Sequence, residues 1–252
     1  MLHVAPAGIV SFPTGFTVER ALAFSAADSD YLSRTPSSSS AAGRRKWTFS
    51  AWVKRSAITG GPSSGDGVHL FGADRGSGFG DRISFGNGDT DDRLNVQFND
   101  TGAGRLQTKA FFRDPTAWTH FVVAADTEQG TAANRIKIYI NGTLLAAADL
   151  DTASYPAEDY DTMMNHNAAQ HIGSRGGNAS QFMDGYMAEV VMIDGTQLAA
   201  SSFGKFDSSD VWVPIDPSGL TFGTNGFYLD FKSSSVGADA AGSNNWTANS
   251  MG

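Results

Sequence analysis

Residues 118–143 read WTHFVVAADTEQGTAANRIKIYINGT, and they give the clearest indication of the fold class. In its second half, every other residue from 136 to 140 is isoleucine, which is the period of a β-strand with one buried face. In its first half both faces are mostly apolar, which is typical of a strand in the middle of a sheet. Asn141 and Gly142 then tolerate the positive φ angles of a two-residue hairpin turn. The stretch therefore predicts a central pair of antiparallel strands.

Two other stretches predict long strands. Residues 47–54, WTFSAWVK, alternate between apolar and more polar side chains, and residues 183–194, MDGYMAEVVMID, are apolar on both faces apart from Glu189. Residues 199–203 predict one helical turn. Shorter strands are predicted at residues 21–24, 31–32, 68–72, 82–85, 93–98, 171–173 and 226–231.

Length and composition favour one β-rich domain. A chain of 252 residues can be a single sandwich, and 29 glycines with only 17% charged residues suit many strands joined by tight turns. Without cysteine, the chain has no disulfide framework and no thiolate metal site. A formal charge of −8 opposes nucleic-acid binding. Without a long apolar run or a signal peptide, we expect a soluble chain with no membrane insertion.

The first 18 residues differ from the rest. Residues 1–18 contain no Lys, Arg, Asp or Glu, while their prolines and glycines prevent a regular helix. We therefore expect an extended N-terminal arm that docks as an added strand on a neighbouring subunit. Residues 19–252 form the single domain, and an irregular C-terminal tail begins at about residue 232.

The order of the strand signals resembles a known family. Residues 31–32, 47–54, 118–120, 138–142, 171–173 and 184–195 together resemble the concanavalin A-like lectin/glucanase superfamily, and more narrowly its laminin-G and pentraxin-type domains. With residues 202–204, 211–214 and 244–247 added, the chain is similar to domains of bacteriophage virion proteins. The resemblance implies an all-β fold, a jelly-roll sandwich of two curved antiparallel sheets.

The carboxylates do not predict catalysis. A glycosidase needs two carboxylic groups flanking the scissile bond. Glu189 projects from the opposite strand face to Asp184 and Asp194, and both aspartates precede glycines at strand ends. We interpret Glu189 as a buried, paired residue and His120 as a hydrogen-bonded structural residue. The chain is therefore predicted not to be an enzyme, with no catalytic and no cofactor-binding residues.

Calcium is the one cofactor that the resemblance suggests. Laminin-G and pentraxin domains often hold it with loop carboxylates. The residues themselves favour turn chemistry, because an aspartate in a glycine-rich loop commonly hydrogen-bonds its own backbone. The candidate ligands are Asp28, Asp30, Asp89, Asp91 and Asp92.

Carbohydrate binding would need exposed aromatic rings next to polar groups, because a ring stacks on the apolar face of a sugar. Four tryptophans lie within regular patterns and are expected in the core: Trp47, Trp52, Trp118 and Trp212. The remaining surface candidates are Tyr155, Tyr160, Phe182 and Trp246.

Two functions follow from the resemblance. The first is a non-enzymatic structural subunit of a bacteriophage particle, a capsid-decorating or accessory virion protein assembled in the host cytoplasm. Its expected partners are copies of itself, in a homotrimer, and other virion proteins such as the major capsid protein. The alternative is a carbohydrate-binding module that mediates attachment to a host cell-surface glycan.

Overall fold

The computed structural model describes residues 4–6, 16–58, 67–74, 80–86, 92–98, 103–177 and 179–251. The predicted all-β class is confirmed, since antiparallel strands dominate these ranges. The strands are β1 (Val4–Pro6), β2 (Arg20–Phe24), β3 (Tyr31–Arg34), β4 (Lys46–Arg55), β5 (Val68–Asp74), β6 (Gly80–Phe85), β7 (Arg93–Phe98), β8 (Gly104–Phe111), β9 (Thr119–Asp126), β10 (Ile136–Ile140), β11 (Thr143–Leu144), β12 (Leu150–Ser154), β13 (Ala169–Ile172), β14 (Gly185–Asp194), β15 (Gly204–Phe206), β16 (Trp212–Pro214), β17 (Phe227–Leu229) and β18 (Thr247–Asn249). The helices are α1 (Ala41–Arg45) and α2 (Ala132–Arg135), with 3₁₀ turns at Ala147–Asp149 and Ala200–Ser202.

Two antiparallel sheets form the jelly-roll sandwich. The first sheet has the order β1-β2-β14-β4-β9-β10-β11, with β17 also paired to β14, and the second has the order β12-β8-β7-β6-β5-β13-β3-β18. Aromatic rings join the sheets through the core: Phe49 meets Phe71 at 5.4 Å between ring centroids, and Phe121 meets Phe85 at 5.5 Å. These four side chains are buried, so the core lies between the sheets.

The predicted central hairpin is present. Strand β9 lies between β4 and β10, and Val123 pairs with Ile138 across the hairpin. Asn141 and Gly142 form the turn between β10 and β11, and their φ angles of 46° and 81° are those that a two-residue hairpin turn requires. Gly142 also permits close packing, because a Cβ atom there would lie 2.3 Å from the indole ring of Trp212.

The outer face of the first sheet is covered. Val122, Val191 and Ile193 are buried in a second apolar cluster, which includes Phe203 and is packed against Trp212. Phe203 follows the 3₁₀ turn at Ala200–Ser202, where a helical turn was predicted, and Trp212 belongs to the β15–β16 hairpin. The hairpin was not predicted from the sequence. The β15–β16 hairpin covers part of this face, whereas the outer face of the second sheet carries polar side chains.

Residues 4–6 of the predicted N-terminal arm form a strand. Val4 pairs with Leu22 and Pro6 with Arg20, so β1 is an edge strand of the first sheet in its own chain. The expected docking of the arm on a neighbouring subunit stays a prediction. Residues 1–3 and 7–15 of the predicted arm lie outside the described residues.

The C-terminal tail contributes to the domain. Strand β18 pairs with β3 at the edge of the second sheet. Trp246 is only 4% exposed and contacts Phe227 with ring centroids 4.9 Å apart. The prediction of an irregular tail is therefore wrong at these residues, because the tail returns to the sheet and adds a large ring to the core.

Candidate functional site

A row of outward-facing residues crosses the second sheet from edge to edge. In these strands every second residue enters the core, so the residues between them face outward. We call this surface the polar face. Its row, given by the pairing of neighbouring strands, consists of Ser154, Arg105, Gln97, Arg82, Gly72, His171, Ser33 and Thr247.

Hydrogen bonds fix the long side chains at one end of the polar face. Arg82 donates from Nη2 to Oε1 of Gln97 at 2.8 Å, and Arg105 donates from Nε to Oδ1 of Asn95 at 2.7 Å. Arg82 and Asn95 are buried, while Gln97 and Arg105 are half-buried. The row therefore presents planar amide and guanidinium groups in fixed orientations.

Aromatic rings form the other end of the polar face. Tyr31 lies 4.7 Å from His171 and 6.0 Å from Phe182, measured between ring centroids. Tyr31 and Phe182 are both partly exposed. The His171 ring is held by a 3.0 Å hydrogen bond between its Nδ1 and Oγ of Ser174, and burial lowers its pKa. We call these three residues the aromatic end.

Polar groups surround the aromatic end. Asn249 pairs with Tyr31 across the strands, and its Nδ2 donates to Oγ of Ser33 at 2.9 Å. Ser33 and Asn249 are partly exposed. The arrangement therefore offers aromatic rings with hydroxyl and amide groups beside them.

The loop after β13 lies over the middle of the row. A Cβ atom on Gly72 would lie 2.5 Å from the backbone nitrogen of Gly176, so only glycine permits this approach. Arg175 lies in the same loop and is partly exposed. The loop therefore separates the arginines of the polar face from the aromatic end.

The structure brings one of the four aromatic candidates to the polar face. Phe182 lies there, beside Tyr31, which the sequence analysis placed on a short strand without assigning it to a site. The alternation of Tyr31 and Ser33 around buried Leu32 is the signal that could have found it. Tyr31 thus joins the candidate site from a strand that is distant in sequence.

The other three aromatic candidates lie elsewhere. Tyr155 and Tyr160 are partly buried against the main core, and the Tyr160 ring contacts Phe98 at 6.4 Å. The prediction that Trp246 is a surface residue is wrong, because its ring is inside the core. A buried ring cannot stack on a sugar at the surface.

Two of the aspartates proposed as calcium ligands, Asp30 and Asp92, make other contacts. Asp92 is buried and forms ion pairs with Arg55 at 2.8 Å and Arg113 at 2.9 Å. Asp30 accepts a hydrogen bond from the backbone nitrogen of Ser25, closing the turn in which exposed Asp28 lies. Within the described ranges no three acidic or histidine side chains group as metal ligands would. Asp89 and Asp91 lie outside those ranges.

Glu189 lies on the first sheet, under its covering layer. It is buried at a bulge in β14 with a φ of 50°, and Tyr228 donates a hydrogen bond to its carboxylate. Burial raises its pKa to about 7. The interpretation of Glu189 as a buried, paired residue is confirmed. Asp194 instead accepts a hydrogen bond from the backbone nitrogen of Asn225.

His120 and Ser50 lie as close together as a general base and a serine nucleophile do, but the proton on the imidazole ring is on the wrong nitrogen for that role. His120 Nε2 lies 2.8 Å from Ser50 Oγ, and Trp212 Nε1 lies 3.0 Å from His120 Nδ1. An indole nitrogen is only a donor, so Nδ1 is the acceptor and Nε2 carries the proton. The ring therefore donates to Ser50 and cannot accept the serine proton. The interpretation of His120 as a hydrogen-bonded structural residue is confirmed.

Among the helices of the described residues, none is long and apolar enough to cross a membrane. No curated protein matches the chain in sequence.

Comparison with solved structures found several similar to this chain. A proposed carbohydrate binding protein from Bacteroides ovatus has 16% identity and a TM-score of 0.55, and covers 91% of this chain. This chain spans 57% of the length of that structure. Domain 4 of an extracellular arabinanase from Geobacillus stearothermophilus, in complex with arabinotriose, has 16% identity and a TM-score of 0.45, over 79% of this chain and 77% of that one. A heptameric pentraxin from Limulus polyphemus has 13% identity and a TM-score of 0.37, over 75% of this chain and 93% of that one.

The family model described as the concanavalin A-like lectin/glucanases superfamily, of laminin-G type, matches residues 27–201. These residues hold most strands of both sheets, including the central hairpin and all of β14. The resemblance predicted from the ordered strand signals is thus confirmed, and the chain belongs to the concanavalin A-like lectin/glucanase superfamily.

Proposed function

We propose that the chain is a non-catalytic carbohydrate-binding module that holds its glycan at the aromatic end of the polar face. The observation that carries this proposal is the placement of Tyr31 and Phe182, two partly exposed rings with centroids 6.0 Å apart. Such rings stack on the apolar face of a sugar, while nearby polar groups bond its hydroxyls. Ser33 and Asn249 supply those polar groups.

Binding is favoured over hydrolysis by the position of the carboxylates. Glu189 has a pKa raised by burial, as a general acid requires, but it lies on the opposite sheet from the aromatic end. A retaining glycosidase also places a second carboxyl group about 5 Å from the first. Glu189 is hydrogen-bonded by Tyr228 instead. A role for Glu189 in folding stability accounts for this geometry.

The Bacteroides ovatus structure supports the proposal at the level of the fold. It is described as a carbohydrate binding protein, and its likeness extends over most of this chain. At 16% identity the likeness carries no residue across, so the sugar contacts rest on this chain's own side chains.

The test is binding to a glycan array, followed by the affinity of the best ligand for three variants. Tyr31→Ala and Phe182→Ala should each weaken binding by at least about fivefold, since one aromatic contact contributes about 1 kcal/mol. Phe206→Ala is the matched control, because Phe206 is a ring exposed by 52% on the β15–β16 hairpin over the other sheet. Melting temperatures establish that each variant is folded.

The outcomes separate the function from the site. A wild-type chain that binds no glycan contradicts the carbohydrate-binding function. Glycan binding that is unchanged in Tyr31→Ala and Phe182→Ala, or equally weakened in Phe206→Ala, contradicts the aromatic end as its site.

The role in a bacteriophage particle stays a prediction from the sequence, as do the homotrimer and the capsid partners. It is compatible with glycan binding, because one fold serves many functions. Negative-stain images of purified particles labelled with an antibody to this chain would test it. Absence of the label from particles would contradict it.

A further inference from the structure

A cleft of about 320 Å³ opens between the two sheets at one end of the sandwich. The first sheet contributes the end of β4 and the start of β9, and the second sheet contributes the ends of β6 and β8. This volume lies at the lower end of the range for small-molecule sites, which is about 300–1,000 Å³. The cleft is separate from the polar face, because it lies between the sheets. Its lining residues are Val53, Arg55, Phe85, Phe111, Phe112, Arg113, Asp114, Ala117, Thr119 and Phe121.

The walls of the cleft are mainly aromatic. Phe112 contacts Phe121 at 5.0 Å and Phe85 at 5.9 Å between ring centroids, and the planes of Phe112 and Phe121 are 75° apart. Phe111 is 44% exposed at the edge of the cleft. Phe85 and Phe121 are buried, so the ring surface that faces water and is open to an apolar ligand belongs to Phe111 and Phe112.

An ion-pair network holds the rim of the cleft. Arg55 is buried, binds Asp92 at 2.8 Å, and donates from Nη1 to the backbone oxygen of Phe112 at 2.8 Å. Arg113 binds the other oxygen of Asp92 through Nε, and its guanidinium lies 4.3 Å from the centroid of the Phe111 ring. These contacts fix residues 111–113 before any ligand arrives, which lowers the entropy lost on binding.

The charges around the cleft cancel. Arg55 and Arg113 both pair with Asp92, and Asp114, which also lines the cleft, accepts hydrogen bonds from Thr116 as a carboxylate. The formal charges of these two arginines and two aspartates sum to zero. A charged ligand would lose its hydration without gaining an unpaired counter-charge. Arg113 donates to Asp92 through Nε and its side chain is 54% exposed, so its Nη groups are available as donors at the rim. The complementary ligand is therefore uncharged and carries an acceptor oxygen.

We infer that this cleft binds a small uncharged molecule with one apolar ring and a carbonyl or ether oxygen, the ring lying among the phenylalanines and the oxygen at Arg113. Acetophenone, an uncharged aromatic ketone, is the probe of this chemistry. Benzoate and benzylammonium have a similar ring and carry a negative and a positive charge.

The experiment is saturation-transfer NMR with the full chain, titrating each probe. Acetophenone should bind, and both charged probes should bind about tenfold more weakly because their ions lose hydration. Ala117→Phe fills the exposed mouth of the cleft and Phe111→Ala removes the exposed ring, so each should weaken acetophenone binding about tenfold. Ala132→Phe, at an exposed position of α2, is the matched control.

Three results would overturn the inference. They are absence of saturation transfer to acetophenone in the wild type, binding of benzoate or benzylammonium as tight as that of acetophenone, and unchanged acetophenone binding in folded Phe111→Ala. If Ala117→Phe does not fold, Phe111→Ala decides alone, since its side chain is already exposed at the surface.

Discussion

The indole nitrogen of Trp212 donates a hydrogen bond to Nδ1 of His120 across 3.0 Å, and the two rings stack with centroids 6.0 Å apart. Trp52 stacks on the same imidazole at 4.9 Å. His120 is thereby enclosed by two tryptophans, with Ser50 at its second nitrogen. The contact joins the β15–β16 hairpin to the centre of the first sheet.

His120 should remain neutral far below the usual histidine range, because burial lowers its pKa to about 3. The unfolded chain takes up this proton near pH 6.5, so the contribution of His120 to stability is lost as the pH falls from about 6.5 toward 3. An NMR titration of the ring should show no protonation above about pH 4. In Trp212→Phe, Nδ1 loses its hydrogen-bond donor and the imidazole ring gains contact with water. Protonation of His120 should therefore begin at a higher pH than in the wild type. Titration of wild-type His120 near pH 6.5 would contradict this prediction.

The contribution of Glu189 to stability should depend on pH in the opposite direction to that of His120. Its pKa is raised from 4.5 to about 7 by burial, so the folded chain binds its proton more tightly than the unfolded chain. Its contribution is fully present below pH 4.5 and is lost as the pH rises through 7. Between pH 4.5 and 7.5 the wild type should lose up to about 3 kcal/mol relative to Glu189→Gln, measured by urea unfolding. Parallel pH profiles of the two proteins would contradict the assignment.

Ile138→Ala should lower the free energy of unfolding by about 2–5 kcal/mol, because the side chain is 2% exposed in the main core. Trp118→Ala should cost less, since this ring is partly exposed over the outer face of the first sheet, and was wrongly expected in the core. Thr131→Ala is the control, because Thr131 is exposed and its side chain makes no capping hydrogen bond to α2. Urea midpoints of the three variants give the order. An Ile138→Ala midpoint equal to that of Thr131→Ala would exclude the central hairpin from the core.

Chelation of calcium should leave the melting temperature unchanged. Asp92 is already neutralised by Arg55 and Arg113, and Asp30 holds a backbone nitrogen of its own turn. Thermal unfolding with EDTA and with added calcium measures the effect. A drop of more than about 5 °C on adding EDTA would show a stabilising metal site, because binding to the folded state raises its stability.

Local sequence patterns correctly predicted the strands at the centres of the sheets. At residues 118–143, 47–54 and 183–194, alternation and the Asn141-Gly142 turn are local properties of the chain, and the structure has strands at each of these places. The same local chemistry identified Glu189 as buried and paired and His120 as a structural residue. These predictions hold because the period of side chains along a strand does not depend on which strand lies beside it.

Which surfaces are covered, and which distant residues come into contact, depends on the packing of the whole chain. Alternation divides a strand into two faces, but it does not state what packs on each face. The β15–β16 hairpin covers one sheet, and the tail returns Trp246 to the core, although both segments are short and polar at their ends. Tyr31 meets Phe182 because β3 pairs with β13, and the loop after β13 carries Phe182 back over the same face. Such contacts arise from strand order, which is set by the burial of the whole core and not by any local pattern.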